Sequence, residues 1–116
     1  MTRMRPTACL TLLLQLLICV STAQAETAVL QLQPDAAQVI LWRSEGDRER
    51  GLALEAAGQY KKVFDYVNCM VFRAEVQKGM RAHVLWRRAG LVRVLLLDRR
   101  HAGCEGIVDA VEVRTP

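Results

Sequence analysis

Four kinds of side chain in this sequence could do chemistry: two histidines, four cysteines, two serines and a dense run of arginine. His83 and His101 are the only imidazoles, and neither has the i,i+4 partner or paired acid of a metal or hydrolase site. Both therefore read as surface residues, because a general base needs an oriented partner. Ser21 and Ser44 are the only serines, and no Gly-x-Ser-x-Gly elbow or phosphate-cradling loop surrounds them. No Cys-x-x-Cys or Cys/His spacing marks a metal site. A Cys69 nucleophile would need a free thiol. The expectation is a non-enzyme with no cofactor and no metal.

Charge is the one functional cue. Between Lys78 and Arg100 stand Lys78, Arg81, Arg87, Arg88, Arg93, Arg99 and Arg100, with Asp98 as the only acid. On an alternating strand pattern Arg81 and Arg93 face outward, and Arg87, Arg88, Arg99 and Arg100 lie in the adjoining loops. These six arginines form the candidate binding face, strongly positive on one side of the domain.

The first 25 residues place that face outside the cytoplasm. Arg3 and Arg5 precede the apolar run Ala8 to Val20, and Ala23-Gln24-Ala25 supplies a small-x-small box. This is the three-part pattern of a secretory signal, too short in its apolar part to span a bilayer, with cleavage expected after Ala25. Met4 separates the two arginines, so the signal is not of the twin-arginine kind. Ile18 before Cys19 argues against a lipid anchor. Loss of Arg3 and Arg5 lowers the formal charge from +4 to +2, and loss of Cys9 and Cys19 leaves Cys69 and Cys104. An even pair in an oxidising compartment predicts a Cys69–Cys104 disulfide, with two free thiols as the competing reading. The location expected is periplasmic or secreted, without a transmembrane segment in the mature chain.

One domain, residues 26–116, must position these groups; 116 residues leave no room for a second. Ala28 to Gln33 and Val39 to Trp42 read as strands. Ser44 to Asp47 offers an N-cap, and Arg48 to Ala57 predicts a helix ended by Gly58, with Leu52/Ala56 and Ala53/Ala57 on its apolar stripe. Gly51 weakens that helix, so residues 45–57 stay open between helix and strand. Strand chemistry returns at Lys62 to Val67, Cys69 to Phe72, Met80 to Trp86, Leu91 to Leu97 and Cys104 to Val113. Gly79 marks a turn, Ala89-Gly90 a hairpin tip, and Gly106 a sharp bend. Alternation places Trp86 in the core with Val84 and Ala82.

The order Lys78-Gly79-Met80, then Gly90-Leu91-Val92-Arg93-Val94-Leu95, then Gly103-Cys104-Glu105-Gly106-Ile107-Val108 and Val111-Glu112-Val113 resembles bacterial SH3-like domains over residues 69 to 114. The resemblance implies an α+β, mainly β fold: an SH3-like small barrel (59–116) preceded by a strand–helix extension (28–58), similar to small exported proteobacterial SH3-like proteins of unknown role. It implies a disulfide that pins one barrel edge to the closing strand. Ile107 stands where the family most often has the tryptophan that lines a peptide or glycan groove. The function expected is therefore a non-enzymatic binding protein whose basic face meets peptidoglycan, another anionic envelope surface or an acidic protein, and not nucleic acid. An enzyme inhibitor or immunity protein is the alternative.

Overall fold

The computed structural model describes residues 26–116; the expected signal, its cleavage after Ala25, Cys9 and Cys19 lie outside the described residues. Seven strands form one antiparallel sheet: β1 (Glu26–Leu30), β2 (Gln38–Trp42), β3 (Val67–Phe72), β4 (Arg81–Arg88), β5 (Leu91–Leu96), β6 (Glu105–Asp109) and β7 (Val113–Arg114). Among the described residues their order across the sheet is β3-β2-β6-β5-β4-β1-β7, with β3 and β7 at the two edges and no ladder closing them. Helices α1 (Glu45–Ala56), α2 (Tyr60–Val63) and α3 (Arg73–Gln77), with three 3-10 turns, complete an α+β, mainly β fold. Segment 28–58 gives β1 and β2 to this sheet, where β1 lies between β4 and β7 and β2 between β3 and β6. It thus shares one core with residues 59–116. Among the described residues no helix is long and apolar enough to cross a membrane.

Period-two alternation gives the sheet two different faces. Val92, Val94 and Leu96 of β5 point to the main core, with Val39, Leu41, Val71, Ala82, Val84 and Val108. Val76 of α3 and Met80 close over the same cluster. A smaller cluster on the opposite face gathers Trp42, Val63, Val67 and Ile107, with Leu54, Tyr66, Trp86 and Leu91 packed against it. Neighbouring residues such as Leu41 and Trp42, or Ile107 and Val108, therefore serve different cores.

Of residues 45–57, Glu45–Ala56 form helix and Ala57 is its C-cap. Ser44 Oγ accepts the Asp47 N–H at 3.1 Å, satisfying one of the free donors of the first turn. The expected apolar stripe is not its buried face: Leu52, Ala53, Ala56 and Ala57 are not among the buried residues, and Gly51 is. A Cβ on Gly51 would overlap the Trp42 indole, so the missing side chain is what lets the helix lie on the ring. Of the strand expected at 62–67, residues 62–66 are instead the end of α2 and a 3-10 turn (Phe64–Tyr66), and only Val67 is strand, the first residue of β3; Val63 and Val67 both pack onto Trp42.

Three further sequence expectations meet the structure in different ways. A register shift between Val84 and Trp86 inserts one extra residue in β4, so Trp86 lies opposite Arg93 on the second face and not beside Val84. Gly106 serves no bend; it lets β6 approach β2, since a Cβ there would stand 2.7 Å from Leu41 Cβ and the Trp42 carbonyl oxygen. The β4–β5 hairpin closes as expected, through Ala89 and Gly90 with φ of 49° and 77°, the doubly positive pair of a type I′ turn.

Candidate functional site

The six arginines differ in what they touch, and three of them are paired with acids of the fold. Arg87 grips Glu26 with two bonds, Nη2 to Oε1 at 2.8 Å and Nε to Oε2 at 3.1 Å. These hydrogen bonds hold the Glu26 carboxyl below its usual range and raise the Arg87 guanidinium. Arg88 pairs with Glu45 at the start of α1 and lies 4.2 Å over the Trp86 ring. Arg93 pairs with Glu105 at 2.8 Å and donates to the Arg43 carbonyl at 3.2 Å. Half of the predicted binding face is therefore occupied by the protein's own acids.

Arg88–Glu45 is one of two ion pairs that seat α1. The second joins Arg48 of the helix to Asp109 of β6 at 2.8 Å, and Asp109 also accepts from Gln33. With Gly51 on Trp42, these contacts fix the helix at three points along its length.

Arg81, Arg99 and Arg100 are different: among the described residues they enter no ion pair. Arg81 and Arg100 line a cleft of about 450 Å³ together with Lys78, Glu75, Asp98 and the apolar surface of Met80 and Leu97. The cleft lies between the end of α3 and the 3-10 turn Arg99–His101 that follows β5. Gly79, with φ of 87°, reverses the chain after α3 and so places Lys78 and Arg81 on the same rim.

His101 does have paired acids, contrary to the sequence expectation. Its Nε2 lies 3.3 Å from Glu75 Oε2 and its Nδ1 lies 3.7 Å from Asp98 Oδ2. One donor atom from each of the three residues falls within 4.8 Å of the others, the one such group among the described residues. Glu75 is 26 positions away in sequence and no local pattern announces it; Asp98 at i−3 of His101 is the one signal the sequence carries. His83 lies on β4 away from the fully buried core positions, with its Nδ1 buried and without a hydrogen-bond partner.

Cys69 and Cys104 form the expected disulfide, their Cα atoms 6.0 Å apart. The bond joins edge strand β3 to the residue before β6, and Cys104 N–H donates to the His101 carbonyl at 2.9 Å. The turn that carries Arg99, Arg100 and His101 is thereby tied down at its far end. The chain matches no protein-family model, no curated protein sequence and no solved structure.

Proposed function

We propose that this is an exported, non-enzymatic binding protein of the periplasm that engages an anionic envelope component, with peptidoglycan the first candidate. The carrying observation is the division of the arginines: Arg87, Arg88 and Arg93 are paired within the fold, whereas Arg81, Arg99 and Arg100 enter no ion pair among the described residues. The binding face narrows to the cleft rim of Lys78, Arg81 and Arg100, with Arg99 beside it. Unpaired cations converging on a concave surface attract anionic groups more strongly than the same charges scattered over a convex one. Export is supported by the disulfide, which persists in oxidising compartments. An SH3-like origin for residues 69–114 belongs to this proposal and is supported by the tight β4–β5 hairpin and the antiparallel pairing of β5 with β6.

Co-sedimentation of the protein with purified peptidoglycan sacculi across a salt series tests the reading. Binding is expected to weaken as salt rises and to disappear in an Arg81→Ala/Arg100→Ala variant. An Arg87→Ala/Arg88→Ala variant keeps its binding, because those side chains are already engaged. Absence of binding at low salt sinks the cell-wall reading; loss in the Arg87/Arg88 variant alone places the face elsewhere.

A further inference from the structure

We propose that Glu75, Asp98 and His101 form a binding site for one divalent transition-metal ion, zinc fitting best, that ties α3 to the turn after β5. The inference does not depend on the function proposed above.

Each ligand is held from outside the cluster. Glu75 comes from α3, whose end is fixed by the Lys78 and Gly79 N–H groups donating back to the Glu75 and Val76 carbonyls at 3.2 and 3.0 Å. Asp98 caps the 3-10 turn, its Oδ1 facing the Arg100 N–H, and that turn carries His101 round to the same side. The Cys104 N–H and the disulfide hold the other end of the turn. Side chains mounted in this way lose little freedom on taking up an ion.

Two buried polar atoms in the cluster lack hydrogen-bond partners. Glu75 Oε2 and His101 Nδ1 are both sealed from solvent, and among the described residues neither makes a hydrogen bond. Buried polar atoms in folded proteins nearly always find a partner, and where no protein group supplies one, an ion or a water commonly does. Glu75 Oε2 and His101 Nε2 face each other at 3.3 Å without the alignment of a hydrogen bond. Ligand bonds of ~2.1 Å in a tetrahedron set donor atoms ~3.4 Å apart, which is close to this spacing. A metal on Nε2 also gives Nδ1–H a role, since the Asp98 carboxylate lies beside it at 3.7 Å to fix the tautomer.

The donor set selects the ion. One imidazole with two carboxylates suits zinc, while calcium and magnesium favour all-oxygen shells of six or more. Two carboxylates balance a divalent charge, and among the described residues neither Glu75 nor Asp98 is paired with Lys78, Arg81 or Arg100. Glu75 and Asp98 also line the cleft beside the cluster.

The test is a titration of the disulfide-bonded, EDTA-treated protein with Zn²⁺ and, separately, Ca²⁺, followed by calorimetry and by imidazole ¹⁵N NMR. One Zn²⁺ per chain is expected, shifting the His101 nitrogens and leaving those of His83 in place. His101→Ala and the near-isosteric Glu75→Gln should each weaken binding by about tenfold or more, and His83→Ala should not change it. The NMR readout uses the unmutated protein, so an unstable variant does not remove the test. No Zn²⁺ binding, binding that perturbs His83, unchanged affinity in Glu75→Gln, or tighter binding of Ca²⁺ than of Zn²⁺ overturns the assignment.

Discussion

Among the described residues Glu112 is the charged one that the fold buries most completely, at 9% exposure. Its carboxylate accepts the Asp109 N–H at 3.0 Å and stands near the Asp109 carboxylate and Arg48. Burial is the largest influence and pushes its pKa up to about 7, from an ordinary 4.5; the Asp109 charge adds to the rise, and the backbone hydrogen bond and Arg48 oppose it. The folded protein thus holds a proton that the unfolded chain releases between those values. This contribution to stability is fully present below pH 4.5 and is lost as pH rises through 7, by about 2–3 kcal/mol. Glu112→Gln keeps an oxygen for the Asp109 N–H and removes the titration. Its urea midpoint should be flat from pH 5 to 8 and exceed the wild-type midpoint above pH 7; a parallel loss in both proteins would show that another group controls the slope. At this scale the sequence was only half legible. The arginine run declared its charge, but the acids that engage Arg87 and Arg88 are Glu26 and Glu45, 61 and 43 positions away. Only folding brings such partners together, so pairing could not be inferred from spacing.

At the scale of elements, α1 shows why a helix can be found in sequence while its buried face is missed. Ser44 and Gly58 announce its ends, yet the contact point is a residue without a side chain, which no apolar periodicity can register. Gly51→Ala should improve intrinsic helix propensity by ~1 kcal/mol and still destabilise the protein by about 1–3 kcal/mol, because the new methyl must displace Trp42. Gly46→Ala is the matched control: a Cβ there finds only Ser44 Oγ, at 4.0 Å, and should be neutral or stabilising by roughly a few tenths of a kcal/mol. Denaturation of the two variants side by side checks the helix placement; equal effects would contradict it. The hairpin carries a similar local strain. Ala89 adopts φ of 49°, a conformation that glycine or asparagine takes more readily, so Ala89→Gly or Ala89→Asn should raise stability by about 0.5–1 kcal/mol, read from the urea midpoint. The β4 bulge and the α2 turn escaped the sequence for a different reason. Val63, Phe64 and Tyr66 are good strand formers, but packing of Val63 and Tyr66 into the cluster around Trp42 overrides that preference, and strand begins only at Val67.

At the scale of the whole molecule, the sheet has a weak joint. The β2–β3 pair joins the remaining strands through a single register pair, Trp42 opposite Ile107, whereas β5 pairs along its length with both β4 and β6. Three further contacts cross the joint: the Cys69–Cys104 disulfide, the Asn68 side chain donating to the Glu105 carbonyl, and Arg93 donating to the Arg43 carbonyl. The disulfide closes a loop between positions 35 apart, so its loss is expected to cost about 4 kcal/mol in the chain-entropy account. The loss should also be uneven, because the bond holds the turn bearing Arg100 and His101 as well as edge strand β3. A Cys69→Ser/Cys104→Ser protein, or the reduced wild type, should exchange amide hydrogens faster at Val67–Phe72 and at Arg99–His101 than across the β4–β5 hairpin. Since Arg100 lines the cleft and His101 belongs to the acid–histidine cluster, both the salt-sensitive binding and the zinc affinity should fall together in that variant. Uniform acceleration of exchange across all seven strands would mean that the joint is not the weak element, and that the disulfide supports the fold only as a whole.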